Sequence, residues 1–150
     1  MNARTEYLEN SVRGASPVGL VVKLYEQLVE DVRRAIAALD AGQIDRRTNA
    51  VNHAILILGQ LQGRLNHEAG AAVARKLDHF YNVIRQKLFQ AQVQQSKPML
   101  SELMAAMLEV RDAWQEAERA QTSVDGVPAQ EPQISSAAAQ ATNARLDWKV

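Results

Sequence analysis

The sequence predicts an all-α protein, an antiparallel four-helix bundle with a flexible N-terminal segment and a disordered C-terminal tail. Three observations carry that prediction. Apolar residues recur at three- and four-residue spacing along four long stretches. Helix-start and helix-stop residues stand between those stretches. No stretch alternates polar and apolar residues as a half-buried strand does. Long helices with short connections pack most simply as antiparallel neighbours, and 150 residues at 47% hydrophobic content suffice for one core.

The first helix starts at Ser16-Pro17. Serine offers an oxygen to free amide groups, and proline fits the first turn because its missing N–H costs nothing there. Val21, Leu24, Tyr25, Leu28, Val32, Ala35, Ile36 and Leu39 then keep helical spacing, and Gly42 is the stop. A second helix spans Asp45 to Asn66, with Val51, Ala54, Leu58, Leu61 and Leu65 as its seam and Ile55 and Ile57 flanking it. A third begins near Ala69 and carries Val73, Leu77, Phe80, Tyr81, Ile84, Leu88 and Ala91 on one face. Ser96-Lys97-Pro98 starts the fourth, whose seam is Leu100, Leu103, Met107, Val110 and Trp114.

The ends differ from this middle. Residues 1–15 hold Tyr7, Leu8 and Val12, too few apolar groups for a core, and 16–120 form the bundle. Residues 121–150 turn to Gln, Ser, Pro and Ala, a composition with little to bury, and are expected to be disordered. The run Ser135 to Ala144 suits a transient helix, and Leu146-Asp147-Trp148-Lys149-Val150 brings one large aromatic.

Composition narrows the function. Lys plus Arg and Asp plus Glu number 17 each, so no net field draws nucleic acid or anionic lipid. Cysteine is absent, which removes thiolate chemistry and suits a reducing cytosol. The opening residues lack the apolar run of a signal peptide, and no stretch approaches the roughly 20 apolar residues of a membrane span. A cytoplasmic protein without membrane insertion is the expectation.

Catalytic or metal chemistry finds no support in the spacing. A di-iron bundle needs Glu three residues before His, and the positions before His53, His67 and His79 hold Ala50, Arg64 and Lys76. The histidines are therefore read as surface residues. Glu30-Asp31 reads as solvated face, and so do the basic pairs Arg33-Arg34, Arg46-Arg47 and Arg75-Lys76. Glycines form no phosphate cradle. No catalytic residue, metal or cofactor is assigned.

What remains is a surplus of apolar residues. Leu56 falls almost opposite the seam of its helix, beside Asn52, Gly59 and Gly63, where a surface helix normally carries charge. Val22, Val29 and Leu20 lie off the first seam, Val83 and Phe89 off the third, and Met104 and Leu108 make a second stripe on the fourth. Such residues predict outward apolar grooves on helices two to four that receive an amphipathic partner. Covering five or six of them is worth on the order of 10 kcal/mol gross. The competing readings are a closed domain in which the terminal segments cover them, and a self-associating structural bundle with no client.

The residues also resemble a known family. Ala15-Ser16-Pro17 with Leu20 and Leu24-Tyr25-Glu26 is similar to the opening of the flagellar secretion chaperone (FliS) family. Ala54, Ile57, Leu58, Leu61 and Leu65 resemble its second helix; Gly70, Ala74, Leu77, Tyr81, Leu88 and Ala91 its third; and Ala113-Trp114 its closing pair. Tyr7 matches the aromatic of the family's N-terminal segment, while Arg4 and Phe80 depart from the residues some members carry. The resemblance implies a non-enzymatic, cytosolic bundle, a monomer that binds the disordered C-terminal region of flagellin 1:1. It would block premature polymerisation and deliver its client to the flagellar export gate. On that reading Leu56, Ile57, Val83, Met104 and Leu108 are the expected client contacts, and Tyr7 belongs to the groove cover or the gate contact.

Overall fold

The computed structural model describes residues 17–65 and 71–122. They form four helices: α1 (Pro17–Asp40), α2 (Ile44–Gly63), α3 (Ala71–Gln94) and α4 (Lys97–Thr122). Tyr7, the segment 1–15 and nearly all of 121–150 lie outside the described residues. No described helix is long and apolar enough to cross a membrane.

The boundaries have local causes. Helix α1 begins at Pro17 and closes at Gly42, whose φ of 68° is the left-handed conformation glycine adopts without penalty. There the Gln43 amide donates to Ala38 O at 2.8 Å and the Gly42 amide to Leu39 O at 3.2 Å, which satisfies two orphan carbonyls. Helix α3 closes in the same manner without glycine: Gln95 takes a φ of 52° and the Ser96 amide reaches Ala91 O at 3.1 Å. Ser96 then starts α4, its hydroxyl accepting the Met99 amide at 3.3 Å. Helix α2 stops at Gly63, short of the expected Asn66, with Arg64 in a turn and the Leu65 amide donating to Gln62 O at 3.2 Å.

The helices close into a ring, α1 beside α2 and α4, and α3 beside α2 and α4. Short connections make each neighbour antiparallel. Helix α1 is packed most closely, and α3 stands further from both its neighbours. Helices α1 and α2 bury Ala35, Ala38, Ala50 and Ala54, and α3 buries Phe80, Tyr81 and Leu88 alongside Ala74 and Ala91. The seams expected from periodicity form the core, with Leu28, Leu58, Leu77, Ile84, Leu103 and Met107 fully enclosed. Val22 and Val29, expected at the margin of α1, are buried as well.

Two polar expectations are corrected. Asp31 is buried, not solvated. It accepts a hydrogen bond from Gln27 Nε2 at 2.9 Å and lies 2.6 Å from His53 Nδ1 on α2, so His53 is an interhelix partner with a half-exposed ring. Arg47 is also buried, its Nε donating to Gln92 Oε1 on α3 at 3.1 Å. The cause is the same in both cases: a buried polar group is tolerated when a partner on the neighbouring helix satisfies it.

Candidate interaction surface

Interhelix hydrogen bonds fix which flank of each helix faces which neighbour. On α2, His53 turns to α1, while Arg47, Thr48 and Gln62 turn to α3. On α3, Asp78, Asn82, Arg85 and Gln92 turn to α2. Lys97 on α4 pairs with Asp40 of α1 at 3.0 Å, which marks the α1 flank of α4.

Against these markers Leu56 lies on the outermost line of α2, and it is 66% exposed. Gly59 and Gly63 stand beside it, with nothing within 4 Å of where a Cβ would sit. Phe89, 61% exposed, occupies the line on α3 shared by Asn82 and Arg85, so it leans toward α2. Val93, one turn further along the same line, is 76% exposed, and Ile44 at the start of α2 is 63% exposed. Both were missed in the sequence: Ile44 precedes the expected helix start, whereas the four-residue step from Phe89 to Val93 was a usable signal.

The α2/α3 edge is pinned at both ends and apolar between. At one end Gln92 bridges Arg47 and, through Nε2 at 2.8 Å, the Thr48 hydroxyl. At the other, Gln62 Nε2 donates to Asp78 at 3.0 Å and Asn82 at 2.9 Å, and Arg85 donates to Asn82 at 2.8 Å and to the Gln62 carbonyl oxygen. Half-buried Ile55 lies between these clamps, with Leu56 and Phe89 outside it. The clamps hold the two backbones in place, so the apolar strip is presented on fixed helices and is pre-formed.

The remaining expected contacts divide. Met104 and Leu108 are half-buried against the core. They follow Lys97 by one and about one and a half heptads, on the α1 side of α4, where Val22 and Val29 are also buried. That edge lies across the bundle from Leu56. Val83 is buried at 5%, contrary to its expected place on the exterior, because its flank of α3 is the one opposite the α2 contacts and faces α4. Ile57 is buried at 6% because it shares with His53 the flank of α2 that faces α1. The exterior residues therefore form two separate edges and not one continuous groove over α2, α3 and α4.

The core behind the site is held by aromatic contacts. Tyr25 and Tyr81 meet with ring centroids 6.2 Å apart, and Phe80 lies 6.0 Å from Tyr81. Burial pushes both hydroxyl pKa values well up, so both stay neutral; at Tyr25 the neighbouring Tyr81 adds to that shift. Among the described residues no cluster of three His, Cys, Asp or Glu side chains could hold a metal ion.

Comparison with known proteins agrees with the resemblance read from the sequence. A family model described as "Flagellar protein FliS" matches residues 1–121. The chain is 30% identical over 118 residues to the flagellar secretion chaperone FliSB of Pseudomonas aeruginosa, covering 76% of this chain and 94% of that one. It is likewise 30% identical over 118 residues to the flagellar secretion chaperone FliS of Bacillus subtilis, covering 77% and 86%. With the protein of the same name from Salmonella typhimurium it shares 26% identity over 110 residues, covering 73% and 82%.

Proposed function

Because the chain belongs to the FliS family of flagellar secretion chaperones, we propose that it binds the disordered C-terminal region of flagellin in the cytoplasm and hands it to the flagellar export apparatus. Its action is masking. Client apolar side chains that would otherwise join neighbouring flagellin subunits are buried on the bundle exterior, and no bond is made or broken.

The observation that carries this reading is the exposed apolar pair Leu56 and Phe89 between two polar clamps, continued by Val93 just past the Gln92 clamp. An apolar strip on a rigid helix pair suits an amphipathic helix laid along it, and the glycines beside Leu56 let that helix approach closely. Covering Ile44, Leu56, Phe89 and Val93 is worth on the order of 5–10 kcal/mol gross, against several kcal/mol for ordering the client. A client that also reaches Met104 and Leu108 must pass around the bundle, since they lie on the opposite edge. That geometry favours a long disordered segment over a compact partner. Ile57 and Val83 are packing residues on the flanks that face α1 and α4, and are not assigned to the client strip. Tyr7, outside the described residues, is assigned to groove cover or gate contact on the family resemblance alone.

Titration calorimetry of the full chain with a flagellin C-terminal peptide tests the reading. Saturable 1:1 binding is expected. Concentration-dependent dimers that persist unchanged when the peptide is added, with no heat of binding, would favour the self-associating bundle instead.

A further inference from the structure

Residues 123–150 lie beyond the family match, which ends at 121, so the family does not say what they do. We infer that the segment Leu146–Val150 docks on the apolar strip formed by Leu56, Phe89 and Val93 and competes there with outside partners. As a statement about regulation of partner binding, this rests on the function proposed above. As a statement about docking, it does not.

Sequence pattern is the first argument. Leu146, Trp148 and Val150 alternate with Asp147 and Lys149, so an extended strand puts all three apolar groups on one side and both charges on the other. The strip offers the matching surface: large apolar residues exposed on fixed helices. A tryptophan is the side chain that gains most from such a surface.

Tether length is the second. Helix α4 runs antiparallel to α1 and α3, so Thr122 lies at the end of the bundle where α2 finishes and α3 begins. Leu56 is seven residues, ~10 Å, from that end of α2, and Phe89 is eighteen residues, ~27 Å, along α3. With ~20 Å to cross the bundle, the span from Thr122 to the strip is ~25–35 Å. Twenty-four residue steps separate Thr122 from Leu146, a stretch dominated by Ala, Gln, Ser and Pro with one glycine. Were those steps a random coil, their r.m.s. end-to-end distance would be ~27 Å. A tether whose r.m.s. length matches the span gives an effective concentration near the millimolar range. A weak contact is then occupied much of the time, and a stronger partner still displaces it.

The test reads Trp148 in the full chain. Its signal is the wild-type emission minus that of Trp148→Phe, since Trp114 is the other tryptophan and is buried. Trp148 is expected to emit to the blue of free tryptophan and to resist acrylamide several-fold, independent of protein concentration. Leu56→Asp/Phe89→Asp should return it to water-like emission and quenching with helical content unchanged. If that pair disturbs folding, Leu56→Ser/Phe89→Ser replaces it. Water-like Trp148 in the wild type overturns the inference. So does shielding that survives both double variants, which places the segment elsewhere, and so does shielding lost on dilution, which makes the partner a second copy. In parallel, Trp148→Ala should tighten flagellin-peptide binding several-fold. Absence of any peptide binding would defeat the proposed function and leave the fluorescence result standing.

Discussion

The Tyr25 hydroxyl donates a hydrogen bond to the Tyr81 oxygen at 3.0 Å, joining α1 to α3 across the ring through a fully buried centre. These helices do not touch along their backbones, so the pair ties one of the two diagonals that ordinary neighbour packing leaves open. Trp114 completes the group. Its buried indole N–H lacks a hydrogen bond of ordinary geometry, yet it lies near enough to the Tyr25 oxygen to favour that oxygen's charged form slightly.

Tyr81→Phe should therefore cost about 1–3 kcal/mol, because the buried Tyr25 hydroxyl loses its acceptor. Tyr25→Phe/Tyr81→Phe should cost less than the sum of the two single changes, since no orphaned hydroxyl remains. Urea melts of the three variants form the cycle. Additive costs would show that the hydrogen bond contributes nothing.

Alkaline pH should destabilise the bundle. Both tyrosines hold their protons more tightly when folded than when unfolded, mainly through desolvation. The folded chain thus binds more protons than the unfolded one above the ordinary tyrosine pKa of about 10, and unfolding free energy falls as pH rises past it. Melts between pH 8 and 11 measure this, and Tyr25→Phe/Tyr81→Phe should flatten the slope.

Asp31→Ala should destabilise by about 1–3 kcal/mol, because the Gln27 amide loses its buried acceptor and His53 loses its partner on α1. The contrasting exposed change, Arg33→Ala beside Glu30, should stay within about 0.5 kcal/mol. Thermal melts of both variants check the ranking.

Gly59→Ala should stabilise by about 0.5–1 kcal/mol. Gly59 is exposed within α2 with no atom near its missing Cβ, so alanine adds helix propensity without a clash. A melting temperature raised by a few degrees is expected, and a fall would show that an undescribed neighbour occupies the space.

Val83→Asp should unfold the chain, because a carboxylate would enter the covered flank of α3. Circular dichroism at 25 °C decides it. A folded Val83→Asp variant would return Val83 to the exterior, where periodicity had put it.

The contrast between Val83 and Leu56 shows what the sequence could reveal. Leu56 stands about 180° from its seam, and a residue directly opposite the core is exposed wherever the neighbouring helices sit. Val83 and Ile57 stand about 100° from theirs, where burial depends on the position of the adjacent helix and not on the helix's own period. Helix ends were legible at Pro17, Gly42 and Ser96 because the responsible chemistry is local. Asp31 and Arg47 were not, because the partners that make their burial tolerable, His53 and Gln92, lie 22 and 45 residues away. The surplus of apolar exterior was readable; its division into an α2/α3 edge and an α1/α4 edge required the fold.

Calorimetric titration of Leu56→Asp with a flagellin C-terminal peptide, beside a melt of the same variant, tests client binding on the α2/α3 exterior most directly. The expected result is unchanged melting, since Leu56 supports nothing beneath it, with affinity lowered at least tenfold. Wild-type affinity in a folded Leu56→Asp protein would remove this strip from the binding site and contradict the masking mechanism built on it.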